Sequence, residues 1–524
     1  MIAVSFDMPA SLPALRKVLR AIRLCVCAGC FISLALAACT PVTPDRGSTA
    51  APAATVPTAM DTIRPTASPL PAQTSTSTAS IPESVQSFQA FPVAEGETIA
   101  LVNARVIDGT GAPAYLDWTV LIQGTRIIAA GSDVKIPEGA RVVDLTGQTI
   151  LPGMFDMHGH LYSYDGRNIS MESVAYPRLY LAGGVTTIFT AGDLNPYEGL
   201  ALRERIAGGA EMGPQILTAG PYFSGGEAPA WMLSAQKPEQ MHALYDSWKD
   251  KIDGVKVYTG IPEDQFIDLL NAAHTDGLFV TGHLESISGM RAIELGIDGI
   301  EHGLFSMSEF FPHIKSTSFR AQYCAISRLD VASPEVTAIV EALVRHGTYL
   351  DPTIVVFQPE LPDFVPLLVD WEKYLDPDSV MPLRSEIRRI VQPECLKEAL
   401  EKQAQFVKAV HDRGGLIVAG TDPVISILLP GYSLHRELQN LVDAGLSPLE
   451  AIKAATLNAA VATGLDSERG TIAAGKAADL VVVEGNPDED ITAIGNTILV
   501  FKDGIPYLPE VLRLSVEGQI GKEK

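Results

Sequence analysis

The sequence predicts an α/β protein whose parallel strands alternate with helices, and two observations support this class. Through the middle of the chain, about eight short apolar runs typical of buried strands are separated by helical stretches. Further strand-like runs with glycine turns lie on both sides of this middle part. Short β runs joined by helices favour parallel strands with right-handed crossovers. Periodicity alone does not distinguish a closed barrel from an open sheet.

The start of the chain has the features of an export signal. A basic stretch at residues 16–23 precedes an apolar segment, 24–38, that is too short for a comfortable membrane span. The segment ends in Leu36-Ala37-Ala38-Cys39, which resembles a bacterial lipoprotein box, in which the cysteine carries the lipid. We therefore expect a lipoprotein signal peptide at 1–39 and an exported protein, lipid-anchored to the cell envelope or cell surface. The alternative is an ordinary cleaved signal peptide with an incidental cysteine.

Residues 40–96 are rich in Pro, Thr, Ser and Ala and contain few large apolar side chains. Such a segment cannot bury enough surface to offset the entropy of ordering, so we expect a disordered stalk.

Composition limits the classes of partner. The chain has 524 residues, 47% of them hydrophobic, and a net charge of -23, so phosphate would be repelled and nucleic acid is disfavoured. Outside the signal segment only Cys324 and Cys395 remain. They either form a disulfide, as an oxidising compartment allows, or stay two buried thiols. Oligomeric state is left open.

The strand-like runs at the two ends suggest one small sheet domain built from both flanks of the α/β part. Runs such as 99–102 and 141–143 precede that part, and runs 478–483 and 497–501 follow it. Within the middle part, 348–351 is the seventh predicted strand and 416–419 the eighth.

Polar side chains stand at or near the C-terminal ends of the apolar runs. His158 and His160 are two residues apart, so on a strand they share one face, and imidazole nitrogens suit a divalent metal such as zinc. A bare His-x-His pair is a weak signal. The chain also supplies four further candidates at such strand ends, where a parallel barrel places its chemistry: Lys256, His283, His302 and Asp422.

The order His-x-His, Lys, His, His, Asp closely resembles the amidohydrolase superfamily. The version with lysine looks like the Xaa-Pro dipeptidase and imidazolonepropionase-related branch, over most of the chain from about residue 97. This resemblance implies a (β/α)8 TIM-like barrel at 151–465. It also implies a small β-sandwich domain built from 97–150 plus 466–524.

The resemblance implies a role for each candidate. Two zinc ions would be held by His158, His160, Lys256, His283, His302 and Asp422. Lys256 would carry CO2 as a carbamate that bridges the metals, which requires a neutral amine. Asp422 would accept a proton from the attacking water and return it to the leaving amine, and Tyr258 would hydrogen-bond the substrate carbonyl.

Two further residues are candidates for binding substrate. His435 follows the last predicted barrel strand, in a segment that lies near the substrate in the similar family. Glu285 shares the strand face of His283 and could contact a substrate ammonium. The loops at 306–331 and 357–393 carry no motif that we can interpret.

The expected activity is cleavage of amide bonds in dipeptides, N-acyl amino acids or similar small amides by a metal-activated hydroxide. Alternatives are a cyclic amidohydrolase similar to imidazolonepropionase, a lactonase or esterase, and a surface solute-binding lipoprotein without catalysis. Nucleobase deamination is disfavoured, because related deaminases carry His-x-x-Glu on the fifth strand, whereas this chain has His283-Leu284-Glu285.

Overall fold

The computed structural model describes residues 83–90, 93, 96–225, 234–235, 238–312, 319–368, 370–391 and 394–522. All of them belong to one compact unit, Thr78–Lys524. The predicted signal peptide at 1–39 and most of the predicted stalk lie outside the described residues. Within the described part, no helix combines the length and apolar character needed to cross a membrane.

A mostly antiparallel sheet of eight described strands joins the two ends of the folded region. Its strands are β1 Thr98–Val106, β2 Tyr115–Gln123, β3 Arg126–Gly131, β4 Arg141–Asp144, β5 Gln148–Pro152, β17 Leu480–Glu484, β18 Thr497–Lys502 and β19 Ile505–Tyr507. The order is β19-β18-β17-β5-β1-β2-β3, with β4 beside β1. The joint between the two flanks is the antiparallel pair β5 and β17, in which Leu151 lies opposite Val481. Early and late strands therefore share one sheet, as their sequence patterns indicated.

The helix Glu83–Ala90 departs from the stalk expected at 40–96. Its Val85 and Phe88 are buried in the same apolar cluster as Phe501. The guanidinium of Arg141 lies 4.3 Å from the centre of the Phe88 ring. Two apolar side chains three residues apart are enough to hold one short helix against a sheet, although the surrounding composition is that of a stalk. The ordered body therefore begins before residue 97.

The middle of the chain alternates parallel strands with helices, as predicted. One sheet contains β6 Met154–Gly159, β9 Val185–Thr190 and β10 Gln215–Thr218, and a second contains β13 Gly254–Val257, β14 Phe279–Gly282, β15 Gly299–Glu301 and β16 Tyr349–Asp351. Every neighbouring pair in these two sheets is parallel. The helices between successive strands are Ala175–Ala182, Pro196–Ala207, Pro238–Trp248, Glu263–Thr275, Gly289–Leu295, Pro334–His346 and Leu396–Asp412.

The eighth predicted strand, 416–419, is an extended segment that forms backbone hydrogen bonds to β16 on one side and to β6 on the other. On one side the Val418 N–H donates to the Leu350 carbonyl over 3.0 Å, and on the other the Met157 N–H donates to the Ala419 carbonyl over 3.0 Å. At the opposite edges, the Phe223 N–H donates to the Lys256 carbonyl over 2.9 Å. Backbone hydrogen bonds therefore connect the two sheets at both edges, although the described strands do not form one continuous closed sheet.

The remaining strands and α-helices lie outside this alternation. They comprise the antiparallel pair β7 Tyr162–Tyr164 and β8 Ile169–Met171, the pair β11 Ser224–Gly225 and β12 Ser234–Ala235, and the helices Phe319–Ile326, Ile354–Phe357, Pro377–Ile390, Tyr432–Asp443, Pro448–Lys453, Ala459–Ala462 and Pro509–Leu514. Cys324 and Cys395 form a disulfide, which decides between the two alternatives for these cysteines. It ties the helix Phe319–Ile326 to the start of the helix Leu396–Asp412.

Candidate metal centre and active site

The six predicted metal ligands meet at one end of the parallel strands. His158 and Lys256 lie in strands β6 and β13, and the others follow strand ends or the 416–419 segment. All six line a single cavity of about 470 Å³: His158, His160, Lys256, His283, His302 and Asp422. The structure therefore brings together residues that are up to 264 positions apart in the chain, from His158 to Asp422 (422 − 158 = 264).

Three imidazole rings converge on the carboxylate of Asp422. His160 Nε2 lies 3.0 Å and His158 Nε2 3.7 Å from Asp422 Oδ1, and His302 Nε2 lies 3.9 Å from Asp422 Oδ2. Ligand atoms of His158, His302 and Asp422 all fall within 4.8 Å of one another. Imidazole nitrogens with one carboxylate are a donor set that fits zinc.

His283 extends this group on the side of His302. The two ring centres are 4.6 Å apart, and the Tyr258 ring lies 5.1 Å from His283 on its other side. Glu285 Oε1 is 3.8 Å from His283 Nε2, so the predicted substrate contact does stand at the cavity wall. His283 is therefore a further imidazole donor, adjacent to His302 of the first group.

The protonation states favour metal binding. Burial lowers the pKa of His158 and His302 well below the usual value and lowers that of His283 to about 3, so these rings are neutral, the form that binds metals. Burial by itself would raise the pKa of Asp422, but His158 and the other neighbouring rings lower it well below its usual value. Asp422 is therefore a carboxylate beside the neutral rings of His158 and His302.

Lys256 is almost fully buried, with 1% of its surface exposed. Its ammonium group pairs with the equally buried Glu301, whose Oε1 also accepts from Thr281 Oγ1 over 3.2 Å. Burial lowers the pKa of Lys256 to about 7, so a substantial fraction of neutral amine exists near neutral pH. This is the form that adds CO2.

Two carboxylates near His158 Nδ1 were not predicted from the sequence. Glu301 Oε2 lies 3.6 Å and Asp351 Oδ2 3.9 Å from His158 Nδ1. A carboxylate beside the second ring nitrogen orients a metal-binding histidine. Gly420 allows this approach, because a Cβ there would lie 2.2 Å from Asp351 Oδ2 and 2.7 Å from His158 Cβ. The available signal was an acidic residue inside each of two apolar strands.

Asp156, also missed, joins the strand of His158 to the loop of Asp422. One carboxylate oxygen accepts from the backbone N–H groups of His158 and Thr421, both over 3.1 Å, and the other accepts from Thr421 Oγ1 over 2.6 Å. Asp156 is fully buried. These hydrogen bonds hold the strand of His158 against the loop of Asp422.

Two ligand candidates have left-handed backbone conformations, with φ of 62° at His302 and 50° at Asp422. Such values cost a non-glycine residue about 1 kcal/mol or more and persist where the surroundings enforce them. His302 Nδ1 is hydrogen-bonded to Thr353 Oγ1 over 2.6 Å, which fixes the ring. The strain is consistent with side chains that are held for chemistry.

Three tyrosines stand on one side of the metal-ligand group. Tyr258 was predicted; Tyr162 and Tyr222 were not, and their hydroxyl groups are 2.8 Å apart. The Tyr222 and Tyr258 rings are 5.2 Å apart. Burial raises the pKa of all three above the usual value, so each keeps its phenolic proton for donation.

His435 does not line this cavity, so the structure does not bring it together with the other predicted site residues. It lies in the helix Tyr432–Asp443 with 1% of its surface exposed, and its Nε2–H donates to the Gly183 carbonyl over 2.7 Å. Gly183 precedes β9, so this bond lies at the N-terminal end of the strands, opposite the metal ligands. Burial lowers the pKa of His435 to about 4. Its role is packing between a helix and a turn.

Comparison with known proteins finds one family match and several structural matches that cover most of the chain. The amidohydrolase family profile matches residues 149–505. Adenine deaminase 1 of Jannaschia sp. (strain CCS1) is 22% identical over 444 residues, 80% of this chain and 59% of that protein. A solved Xaa-Pro dipeptidase with methionine bound in its active site superposes with a TM-score of 0.60 at 22% identity, covering 79% of this chain and all of that one. A prolidase complexed with N-methylphosphonate-L-proline gives 0.58 at 21%, covering 78% and 99%.

These matches differ in extent. The chain spans 55–59% of the length of the first curated relatives, all of them adenine deaminases. It spans nearly the whole of the two solved dipeptidase structures. The structural matches therefore concern the entire fold of their counterparts.

Proposed function

Because this chain belongs to the amidohydrolase family, we propose that it is a metal-dependent hydrolase of small amides, cleaving dipeptides, N-acyl amino acids or similar compounds. Members of this family are metal-dependent enzymes that act on carbon–nitrogen bonds. The observation that carries the proposal is the convergence of His158, His160 and His302 on Asp422 in a cavity of about 470 Å³. The fold shared with Xaa-Pro dipeptidase and prolidase structures supports a peptide-like substrate.

The proposed cofactor is a pair of zinc ions, which the imidazole and carboxylate donors would fit. His158, His160 and Asp422 would hold one, His283 and His302 would hold the other, and Lys256 as a carbamate would supply a further oxygen ligand. When bound, such ions lower the pKa of water and polarise a carbonyl. The buried amine of Lys256, with its pKa near 7, supports the carbamate.

Side chains of the protein would transfer the protons of the reaction. Asp422 is a carboxylate at the centre of the ligand group, so its oxygen can take a proton from the attacking water and pass it to the leaving amine. Tyr258 keeps its phenolic proton and faces the same cavity, where its hydroxyl would donate to the substrate carbonyl oxygen as negative charge develops.

The architecture and location extend this proposal. Backbone bonds across both sheet edges support one (β/α)8 barrel over 151–465, with the small sheet domain formed by 97–150 and 466–524 together with the helix Glu83–Ala90. The disulfide Cys324–Cys395 supports export, because such bonds persist in oxidising compartments. Lipidation at Cys39 remains a proposal from the sequence.

The test is hydrolysis by the purified zinc-loaded chain, with Asp422→Asn as control. The panel contains dipeptides, N-acyl amino acids, cyclic amides, lactones and adenine, and release of amine or ammonia and of acid is followed together. We expect amine release from linear amides that Asp422→Asn abolishes. Acid without amine would instead indicate ring opening or ester cleavage, and ammonia from adenine would indicate deamination. No turnover in any class would contradict the proposal.

A further inference from the structure

One wall of the active-site cavity is aromatic. It consists of Phe305, Phe319, Tyr323 and Phe357, all of which line the cavity. The wall begins at the metal ligands, since the Phe357 ring lies 6.2 Å from His302. Phe357 stacks on Phe305 with ring centres 4.0 Å apart, and the Tyr323 ring lies 6.4 Å from Phe357. This aromatic wall would favour an apolar substrate body extending away from the metal centre.

The wall ends in a carboxylate. Tyr323 donates its hydroxyl proton to Glu360 Oε1 over 2.8 Å, and Glu360 lines the same cavity. The other oxygen, Glu360 Oε2, is buried and has no hydrogen-bond partner among the described residues. A buried acceptor without a partner costs free energy, and a charged one costs more.

No cationic side chain in the described part of the chain forms an ion pair with Glu360. Arg389 lines the cavity, but its guanidinium is paired with Glu386. Burial raises the pKa of Glu360 to about 7, which is the behaviour of a carboxyl group without a neighbouring cation. An incoming cation would find both an unpaired oxygen and the faces of aromatic rings, which attract positive charge.

We infer that Glu360 and the aromatic wall bind a cationic group of the substrate, an ammonium or guanidinium, at the far end of an apolar chain or ring. This deepens the proposed function and rests on it: among small amides, the enzyme selects those with an apolar body and a basic end. Glu360 acts on specificity and touches the substrate away from the scissile bond.

Binding tests the inference without turnover. Calorimetric titration of the zinc-loaded chain at pH 8 compares 4-phenylbutylamine, a cation, with 4-phenylbutan-1-ol, a neutral compound of the same length. A charged hydrogen bond predicts that the amine binds about tenfold or more tightly. Glu360→Gln removes this preference, whereas Glu341→Gln, at an exposed position in the helix Pro334–His346, retains it. Equal binding by the unchanged protein, tighter binding of 5-phenylpentanoate, or a preference that survives in Glu360→Gln would overturn the inference.

The neutral alcohol serves as an internal control for folding, because it reports an intact cavity in each variant. If Glu360→Gln does not fold, Glu360→Asp takes its place, because it withdraws the carboxylate by one methylene. We expect this variant to reduce the preference for the amine over the alcohol severalfold. An undiminished preference overturns the inference.

Turnover separates this inference from the proposed function. Nα-acetyl-lysine and Nα-acetylnorleucine differ at the end of the side chain, and amine release gives kcat/KM for each. We expect the lysine compound to be favoured about tenfold or more by the unchanged protein. Hydrolysis of both without preference contradicts the role of Glu360 alone. Hydrolysis of neither compound, and of no other amide in the panel, together with selective amine binding, contradicts the proposed amide hydrolysis alone.

Discussion

The backbone N–H of Asp422 donates to the carbonyl oxygen of His158 over 2.8 Å, so two candidate metal ligands at distant positions in the chain are joined by their main chains. Asp156 reinforces the joint by accepting from His158 and from Thr421, the residue before Asp422. The ligand geometry therefore depends on a buried carboxylate that touches no substrate.

Asp156→Asn is expected to weaken zinc binding by about 10- to 100-fold, the range found for partners that orient metal ligands. The amide would present an N–H₂ group toward one of the donors that Asp156 now satisfies, so the His158 and Asp422 segments would separate. Zinc affinity is measured by competition with a chelator. Asp253→Asn is the matched control, because Asp253 also accepts from a backbone N–H, that of Thr218, but lies just before β13, away from the ligands. Equal affinity in both variants would contradict the role of Asp156.

Lys256→Ala should lower both bound zinc and amide hydrolysis, because the variant cannot form the proposed carbamate ligand. A sharper test uses CO2, which the carbamate requires. Zinc reconstitution of the unchanged protein is expected to give more metal and activity with bicarbonate than in CO2-free buffer, whereas Lys256→Ala shows no such dependence. Metal content and kcat are measured together. The same zinc content and rate in Lys256→Ala as in the unchanged protein would remove the carbamate from the mechanism.

The convergence of the six candidate metal ligands could be predicted because each stands at or near the end of an apolar run, and parallel strands bring such ends together. Glu301 and Asp351 could not be predicted as part of the site. Each is a single acidic residue in an apolar strand, and no second residue at a fixed spacing distinguishes a site from an ion pair. The place of His435 outside the cavity could not be predicted either, because a position after the last strand does not reveal which end of the strands its helix face meets. The aromatic wall and Glu360 lie in or beside segments 306–331 and 357–393, which carry no motif, so only their contacts in the folded chain reveal that they share a cavity.

His435→Gln is expected to lower stability and leave kcat/KM of the folded protein unchanged. The ring is buried and its bond to the Gly183 carbonyl is at the opposite end of the strands from the metal ligands. Loss of this bond, with the buried carbonyl left imperfectly paired, should cost about 1 to 3 kcal/mol of unfolding free energy. Denaturant unfolding measures the loss, and kinetics normalised to bound zinc measure the activity. A tenfold loss of kcat/KM at unchanged stability would show that His435 contributes to activity.

The Cys324–Cys395 disulfide is expected to stabilise the fold because it joins residues with a sequence separation of 71. Closing a loop of this length restricts the unfolded chain by about 4 kcal/mol in the chain-entropy description. Replacing both cysteines by serine should therefore lower the unfolding free energy by about 2 to 4 kcal/mol. Reduction of the unchanged protein should have the same effect, and reduction of the double variant none. A double variant as stable as the oxidised protein would show that the crosslink adds nothing.

Glu360 is expected to make the folded protein less stable as pH rises from about 4.5 to about 7. Burial raises the pKa of Glu360 from 4.5 to about 7, so in this interval the native state keeps a proton that the unfolded chain has released. The contribution of this group is fully present below pH 4.5 and is lost as pH rises through 7. The difference is at most about 3 kcal/mol, since one pKa unit corresponds to 1.36 kcal/mol. Denaturant unfolding of the unchanged protein, Glu360→Gln and the exposed control Glu341→Gln should show a shallower decline in Glu360→Gln alone. The same decline in all three proteins would show that the pKa of Glu360 is not raised in the folded state.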